Sequence, residues 1–397
     1  SRAQPGNYRP IALIPVDVKV LSKALTYRLQ SVVPDLVHTD QKGFVKGRSI
    51  HHHVRFLADL QDLVTSLDEE AYALFLDFEK AFDRVNWDYM FQVLERMGCG
   101  SEFVQWVRLL YTEPQAHLVI NQNIQPALHP TRGVKQGDPL SALLFLLTIE
   151  PLGNLLRSHE EFGVCLTEDH TSTSVFFADD TTLLGGSIAS VQAQLELVEE
   201  YCKGSGAKLN LGKSNLMALN RNQICPQLPG VHVLARAESV KFLGIPFSQS
   251  PVNDDIVNFL EQRFYDGFKM WYRRARTLRG RLLVAQTMVL SRLWHYTQHV
   301  SIPSSVVKRW QSMLNKFVLS RKHDRDATHI QLIPKEFLYL PRSEGGLQIP
   351  SIEAQLKRQR LQLLLQFMRL ASKPDERNWT TPSAELLTAC LHFDMAQ

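Results

Sequence analysis

The chain has 397 residues, of which 44% are hydrophobic, so it is long enough for roughly two or three domains and can bury a sizeable core. This composition excludes wholesale disorder, and the longest apolar run, residues 140–149, is too short to span a bilayer. The net charge of +4 and the pI of about 8.7 are compatible with a polyanionic partner but do not require one.

The first part of the chain alternates helical and strand-like segments. A helix is predicted between Pro15 and Pro34, where leucines recur every four residues. Residues 71–77 form an apolar run that predicts a buried strand ending in Asp77. A further helix follows this strand and is expected to stop at Gly98.

A second acidic strand end lies about a hundred residues later. Residues 132–139 predict a loop that leads into an apolar helix. Residues 173–184 then predict two short strands around a tight turn at Ala178, Asp179 and Asp180. Each acid therefore follows a hydrophobic β-type run, which makes a simple surface turn a weaker explanation.

The composition shifts near residue 250, where strand-like segments give way to helical ones, and again in a Pro- and Gly-rich stretch at 330–350. Residues 261–281 carry a basic run at helical density. Its members are Arg263, Lys269, Arg273, Arg274, Arg276, Arg279 and Arg281. Such a run is usually a solvated helix face, but Lys and Arg also supply sequence-independent contacts to nucleic-acid phosphates.

The cysteines are few and scattered. They are Cys99, Cys165, Cys202, Cys225 and Cys390, and no two are spaced as CxxC. Their odd number and spacing predict neither a disulfide framework nor a zinc knuckle. With no signal peptide recognisable in the sequence, we expect an intracellular protein of the cytoplasm or nucleus.

The acids Asp77, Asp179 and Asp180 are the candidate catalytic residues. An Asp-Asp pair alone is a weak signal, because it also occurs in solvated turns and helix N-caps. Three carboxylates on neighbouring strand ends, however, suit two Mg²⁺ ions, which prefer oxygen ligands and keep positions open for substrate phosphates. A two-metal site of this kind clamps the attacking and leaving oxygens of an in-line phosphoryl displacement.

Seven ordered blocks of the sequence resemble the reverse transcriptases of non-LTR (LINE-type) retrotransposons. The blocks are residues 7–11 (NYRPI), 41–49 (QKGFVKGRS), 77–83 (DFEKAFD), 133–141 (GVKQGDPLS), 177–180 (FADD), 207–214 (AKLNLGKS) and 241–244 (KFLG). Together they cover roughly residues 7–250, in the order typical of the family. The hairpin block has Phe177 where the family often has Tyr.

The resemblance implies a fold and an activity. The fold would be an α+β right-hand polymerase with fingers, an antiparallel-sheet palm and a helical thumb. Residues 1–250 would form the fingers and palm, 251–330 the thumb, and 331–397 a C-terminal helical segment without an assigned role. The activity would be RNA-directed DNA polymerisation, with an RNA template, a DNA primer, dNTPs and two Mg²⁺ ions, for which Mn²⁺ is a possible substitute.

The resemblance also implies roles for individual residues. Asp77, Asp179 and Asp180 would bind the metal ions together with the carbonyl of Phe78. The nucleotide-binding residues would be Arg9, Phe82, Gln136, Gly137 and Lys213. The primer grip would be Phe242, Leu243 and Gly244, and the contacts to the nucleic-acid backbone would come from Arg273, Arg274, Arg276 and Arg279. Several of these have plain alternatives, such as a core aromatic for Phe82 and a solvated cation for Arg9.

Two other functions remain open from the sequence. The chain could be a catalytically dead, nucleic-acid-binding remnant, although the three intact aspartates argue against this. It could also be an intron-encoded maturase-type reverse transcriptase, which a specific RNA partner would reveal. The sequence contains no recognisable endonuclease domain, so we expect that this chain does not integrate DNA by itself.

Overall fold

The computed structural model describes residues 11–324, 332–371 and 379–391, and these residues fall into two compact units. Unit 1 contains the described residues up to Leu243 together with residues 379–391. Unit 2 contains the described residues from Gly244 to residue 371. The domain boundaries that the sequence suggests near residues 250 and 330 stay predictions. Arg9, a candidate nucleotide-binding residue, lies outside the described residues.

Unit 1 contains most of the strands and eight of the described helices. Its first helices are α1 (Val16–Leu36), α2 (Ile50–Ser66), α3 (Ala81–Arg84), α4 (Trp87–Arg96), α5 (Ser101–Leu110), α6 (Ser141–Arg157) and α7 (Ile188–Ser205). Its strands are β1 (Tyr72–Leu76), β2 (Ala116–Ile120), β3 (Asn123–Leu128), β4 (Val164–Thr167), β5 (His170–Ser172), β6 (Ser174–Phe177), β7 (Asp180–Gly185), β8 (Asn215–Ala218), β9 (His232–Val233) and β10 (Ser239–Phe242).

Unit 2 is mainly helical. It contains the short strand β11 (Ile245–Ser248) and the helices α8 (Asn253–Trp271), α9 (Leu278–Val284), α10 (Trp294–Thr297), α11 (Ser304–Ser320), α12 (Lys335–Tyr339) and α13 (Ile352–Ala371). The last described helix, α14 (Thr381–Leu391), belongs to unit 1, where it packs against α2.

A five-stranded sheet with the order β6-β7-β1-β8-β9 is the centre of unit 1. β1 pairs in antiparallel register with both β7 and β8, whereas the short β8–β9 pair is parallel. All five residues of β1 are buried, as their uninterrupted apolar run predicts for a central strand. The predicted strands at 71–77 and within 173–184 are therefore confirmed.

The core of unit 1 forms where α6 packs against α1, α4 and α7. Twelve of the 17 residues of α6 are buried, which accounts for the apolar run at 140–149 as a core helix. α1 differs from its prediction, because it continues through Pro34 to Leu36. Pro34 lies in the last turn of α1, so its missing N–H removes one backbone hydrogen bond near the end of the helix and not in its middle.

The core of unit 2 is built from large aromatic side chains. Phe264 and Phe268 of α8 lie against Trp310 and Phe317 of α11, with ring centroids 5.3 Å apart for Phe264 and Trp310 and 4.7 Å apart for Phe268 and Phe317. All four side chains are fully buried. None of the described helices, in either unit, is both long and apolar enough to cross a membrane.

The basic run of unit 2 is not one continuous helix. α8 ends at Trp271 and α9 begins at Leu278. Arg273, Arg274 and Arg276 therefore lie in the connection between the two helices. The side chain of Thr277 accepts a hydrogen bond from the N–H of Gly280 and caps α9, so the sequence marks this break with an N-cap residue.

Candidate active site

The sheet brings two acidic strand ends together. β1 and β7 pair with Leu76 opposite Thr181. Asp77 directly follows Leu76, and Asp180, the first residue of β7, directly precedes Thr181, so both acids lie at the same end of the sheet. Asp77 is half-buried and Asp180 is exposed.

The third acid lies in the turn between β6 and β7. Phe177 pairs with Asp180, which leaves only Ala178 and Asp179 as a two-residue turn. Ala178 is buried and has a φ of 56°, a left-handed conformation that is uncommon outside glycine. Such a conformation persists only where neighbouring groups fix it, and it often occurs at functional sites.

The side chain of Gln41 fixes this turn. Its Oε1 accepts hydrogen bonds of 2.8 Å from the backbone N–H groups of Ala178 and Gly43, and its Nε2 donates to the Ala178 carbonyl at 3.4 Å. A Cβ at Gly43 would lie 2.5 Å from the Ala178 nitrogen, so this close approach requires glycine. The block at 41–49 thus supports the hairpin, a role for Gln41 that sequence analysis missed.

His53 of α2 supports the same hairpin from another direction. Its Nε2 donates to the Phe176 carbonyl at 2.9 Å, and the imidazole is fully buried. Burial, together with the charge of Lys42, lowers the pKa of His53 to about 3, so the ring is neutral at physiological pH. Nothing in the local sequence distinguishes His53 from its neighbours His51 and His52.

The block at 207–214 holds the other acidic strand end. The N–H of Asp77 donates to Ser214 Oγ at 3.2 Å, and the carbonyl of Asp77 accepts from the N–H of Asn210 at 2.8 Å. One turn further, Lys213 lies in a short 3₁₀ segment with its side chain exposed. The backbone position of Asp77 is therefore set on both sides of its Cα.

The three aspartates suit a hard divalent cation, both because their donors are oxygen atoms and because their backbone positions lie at the same end of the sheet. Asp77 follows β1, Asp180 begins the adjacent strand β7, and Asp179 lies in the turn before β7. Their oxygen atoms are the donors that Mg²⁺ prefers. Within the described ranges, no three acidic, His or Cys side chains are already gathered around one point. Closely placed carboxylates repel one another until a cation compensates them, so convergence of the side chains is expected only with metal.

Phe82, in the block that begins at Asp77, lies in α3 and stacks on Phe145 of α6. The two ring centroids are 4.2 Å apart and the planes are 12° from parallel. Phe82 remains half-buried, so one part of the ring is fixed by the core while another part is accessible. The accessible part leaves room for a contact beyond simple core packing.

The loop before α6 is tied to the preceding block. Gln136 Nε2 donates to Asp83 Oδ1 at 3.2 Å, and the Gln136 carbonyl accepts from the N–H of Ala12 at 2.7 Å. Gly137 has a φ of 115°, and a Cβ there would lie 2.8 Å from the Ala12 carbonyl oxygen. The absence of a side chain at Gly137 thus allows the backbone of Ala12 to come close to this loop.

The remaining candidates are divided between the units. Phe242 and Leu243 are buried in unit 1, where the Phe242 ring packs on Phe75 of β1 at 5.5 Å. Gly244 is the first residue of unit 2. The four candidate arginines, Arg273, Arg274, Arg276 and Arg279, are all exposed on unit 2.

Two further cations lie beside these arginines, and no motif in the sequence marks them. Arg321 and Lys322, which follow α11, line the same broad cleft as Arg273 and Arg276. The ring of Tyr272 in this cleft stacks on His323 at 3.8 Å. The cleft therefore combines positive charge with an aromatic surface, and it unites residues that are some fifty positions apart.

The chain belongs to the reverse transcriptase (RNA-dependent DNA polymerase) family, whose model matches residues 2–247. Membership confirms the predicted family, and the helices around a mainly antiparallel sheet confirm the expected α+β class. The family generally depends on divalent metal ions.

Its relatives come from non-LTR retrotransposons, which confirms the predicted resemblance. It is 28% identical to a 149 kDa protein of transposon TX1 from Xenopus laevis, over 94% of this chain and 28% of that protein. It is 26% identical to the Pol polyprotein of the retrotransposable element R2DM from Drosophila melanogaster, over 88% of this chain and 33% of that protein. The chain thus spans about a third of these relatives or less.

Among solved structures, a telomerase of Candida tropicalis, in complex with a fragment of telomeric RNA, matches 92% of this chain and 56% of its own. The TM-score is 0.43 and the identity is 10%, so the likeness is distant.

Proposed function

We propose that this chain is the RNA-directed DNA polymerase of a non-LTR retrotransposon, which adds dNTPs to a DNA primer on an RNA template. The observation that carries the proposal is the register of β1 and β7, with Asp77 and Asp180 at one sheet end and Asp179 in the adjoining turn. The family match supports the reaction type. Residues 1–250 are then fingers and palm, 251–330 thumb, and 331–397 a helical C-terminal segment.

The acids act as metal ligands in this proposal. Asp77 and Asp179 would hold the two Mg²⁺ ions, Asp180 would support one of them, and the Phe78 carbonyl would add an oxygen ligand. Bound metal would neutralise charge on the phosphates and favour the attacking form of the primer hydroxyl. The contribution of the protein is mainly to position these groups, since little covalent chemistry falls to it in phosphoryl transfer.

The nucleotide site is assembled from residues on several segments. Phe82 lies under the incoming sugar and disfavours a 2′-hydroxyl, while Gln136 and Gly137 present the loop backbone to the nucleotide. Lys213, exposed near the end of the 207–214 block, faces the leaving pyrophosphate and stabilises its charge. Arg9 binds the triphosphate, for which a guanidinium is suited.

The nucleic-acid partners occupy two further surfaces. Phe242, Leu243 and Gly244 hold the primer terminus. Arg273, Arg274, Arg276 and Arg279 contact phosphates of the template–primer duplex, which makes binding salt-dependent. The proposed setting is the cytoplasm or nucleus, where such duplexes occur.

Primer extension on a heteropolymeric RNA template, with dNTPs and Mg²⁺, tests the proposal. The 397-residue chain should extend the primer, and Asp179→Asn should give no detectable product while it binds the duplex normally. Asp169→Asn, which changes an exposed acid outside the hairpin, is the matched control and should remain active. If the parent folds and binds the duplex but extends nothing, the chain is a catalytically dead remnant.

A further inference from the structure

The loop before α6 runs alongside the segment that carries Phe82. The N–H of Val134 donates to the Phe82 carbonyl at 2.8 Å. The N–H of Gly133 donates to the Val85 carbonyl at 2.7 Å. A Cβ at Gly133 would lie 2.6 Å from the Asp83 carbonyl oxygen, so the two backbones are as close as glycine permits. These backbone contacts set where the first half of the loop lies.

A hydrogen bond between two side chains holds the second half of the loop. Gln136 Nε2 donates to Asp83 Oδ1 at 3.2 Å, and both residues are half-buried. An amide donor and a carboxylate acceptor form a charge-assisted hydrogen bond. The Gln136 carbonyl also accepts from the N–H of Ala12 at 2.7 Å. Of these two contacts, the one to Asp83 joins the loop to α3, one residue before the exposed Gly137.

Two further side chains hold the loop from other directions. Lys135 Nζ donates to the Leu110 carbonyl at 2.7 Å, at the end of α5, and lies 5.1 Å from the centroid of the Tyr111 ring. Trp87 Nε1, at the start of α4, donates to the Gly133 carbonyl at 2.8 Å. These contacts fix the loop against α4 and α5. They therefore do not relate the loop directly to the helix α3.

Asp83 directly follows Phe82 in α3. The stack on Phe145, with ring centroids 4.2 Å apart, holds the Phe82 ring in place. The carboxylate of the next residue holds the Gln136 side chain. Because the ring and the carboxylate belong to adjacent residues of one short helix, the Asp83 side chain limits how far the loop can move relative to the ring.

We propose that Asp83 is a positioning residue that holds the Gln136 side chain and sets the spacing between the loop and the Phe82 ring. This role rests on the proposed function, in which the ring and the loop meet the same incoming nucleotide. A fixed spacing accommodates deoxyribose and disfavours the additional hydroxyl of ribose. Loss of the hydrogen bond lets the loop move away from the ring, which weakens dNTP binding and relaxes the discrimination against ribonucleotides.

Single-nucleotide extension by the 397-residue chain tests the role of Asp83. Asp83→Ala should raise the KM for dNTP by about 10-fold and increase the incorporation of ribonucleotides relative to deoxyribonucleotides, while kcat changes less. Asp83→Asn should stay close to the parent in both respects, because the amide oxygen still accepts from Gln136. Asp88→Ala, at an exposed acid five residues later, is the matched control and should equal the parent.

A double-mutant cycle identifies the hydrogen bond as the cause. Gln136→Ala removes the donor and should raise the KM for dNTP at least as much as Asp83→Ala does. In a chain that already carries Gln136→Ala, the further change Asp83→Ala should raise the KM by less than about twofold, since the bond is already lost. The change in selectivity should follow the same pattern.

Additive effects of the two changes, or a fall in kcat alone with KM and selectivity like the parent, would overturn the role of Asp83 and leave the polymerase function standing. A parent that folds and binds the duplex but extends no primer would refute the proposed function itself, and with it any role of Asp83 in nucleotide selection. If Asp83→Ala does not fold by circular dichroism, Asp83→Ser, whose shorter side chain does not reach Gln136, replaces it and should show the same rise in KM.

Discussion

The Oε1 of Gln41 accepts a hydrogen bond of 2.8 Å from the N–H of Ala178, which lies 137 residues later in the chain. Ala178 is the left-handed residue of the two-residue turn that carries Asp179. One buried side chain therefore bonds both the N–H and the carbonyl of this residue. Gln41 is a positioning residue for the hairpin.

Gln41→Ala should reduce kcat for single-nucleotide extension by about 10- to 100-fold, since unpaired buried groups cost about 1–3 kcal/mol and small displacements of a catalytic group are costly. The KM for dNTP should change little, because Gln41 acts on the hairpin and not on the nucleotide. Gln92→Ala, at an exposed position of α4, is the control and should match the parent. A raised KM with normal kcat would instead place Gln41 in nucleotide binding.

His53 predicts a pH dependence of stability. Burial keeps its imidazole neutral in the folded chain, with the pKa lowered to about 3, whereas the unfolded chain protonates near its ordinary value of 6.5. Between these values the unfolded state binds more protons, so stability falls as pH falls. The stabilisation from the neutral His53 imidazole is fully present above pH 6.5. Below that pH, the free energy of unfolding decreases by at most about 1.4 kcal/mol per pH unit.

Urea unfolding at pH 7, 6 and 5 measures this effect. The slope of the unfolding free energy against pH should become shallower in His53→Gln. The decrease should correspond to at most one proton fewer bound on unfolding. His129→Gln, at an exposed histidine, should keep the slope of the parent. An unchanged slope in His53→Gln would show that the buried imidazole is not the source.

The two strand ends could be predicted because each acid follows a short apolar run of the kind typical of a buried strand. Their register could not, since it depends on how β1 and β7 align across the sheet. The same holds for Gln41, which is an ordinary polar residue until the fold places it under Ala178. The N-cap residue Thr277 marks the break between the two helices in the sequence. The dense run of basic residues around it suggested one continuous helix instead.

The C-terminal segment was the least predictable part. Trp379 and Ser383 are more than 300 residues from α2, yet Ser383 Oγ donates to the carboxylate of Asp59 and Trp379 stacks on His52. Asp59 also pairs with Arg55, which lies one turn earlier in α2. Such long-range contacts leave no local pattern, so the segment appeared as a helix without a role.

Trp379→Ala should therefore destabilise unit 1 even though Trp379 lies near the end of the chain. Trp379 is 5% exposed, and removal of a buried aromatic ring typically costs about 3–5 kcal/mol. Trp106→Ala is the matched control, because Trp106 is 46% exposed and its loss should cost far less. Chemical denaturation followed by circular dichroism distinguishes the two, and similar losses would contradict the packing role of Trp379.

Phe82→Val should increase the incorporation of ribonucleotides relative to deoxyribonucleotides. The stack on Phe145 holds the Phe82 ring in place, and a smaller side chain removes the surface that would meet a 2′-hydroxyl. A steric difference of this size is worth about 10- to 200-fold in selectivity. Competitive extension with mixed rNTP and dNTP measures the ratio.

The control for Phe82 is another half-buried, stacked phenylalanine of unit 1. Phe162 packs on His159 with ring centroids 5.5 Å apart, so Phe162→Val removes a similar ring at a different place. Its nucleotide selectivity should equal that of the parent. If both variants shift selectivity alike, the effect comes from general loosening of unit 1 and Phe82 has no specific contact with the sugar.

Exchange of Arg273 and Arg276 for Gln should weaken binding of an RNA–DNA duplex and reduce its salt dependence. Each lost phosphate contact should lower the slope of log affinity against log salt by about 0.7–0.9, because fewer counterions are released. Fluorescence anisotropy of a labelled duplex at several KCl concentrations measures this slope. Exchange of both residues for Lys should restore the slope, since the charges return.

The control for this double variant is Arg96→Gln, at an exposed arginine of unit 1, which should leave the slope unchanged. If the slope of the double variant also stays unchanged, Arg273 and Arg276 do not contact the duplex.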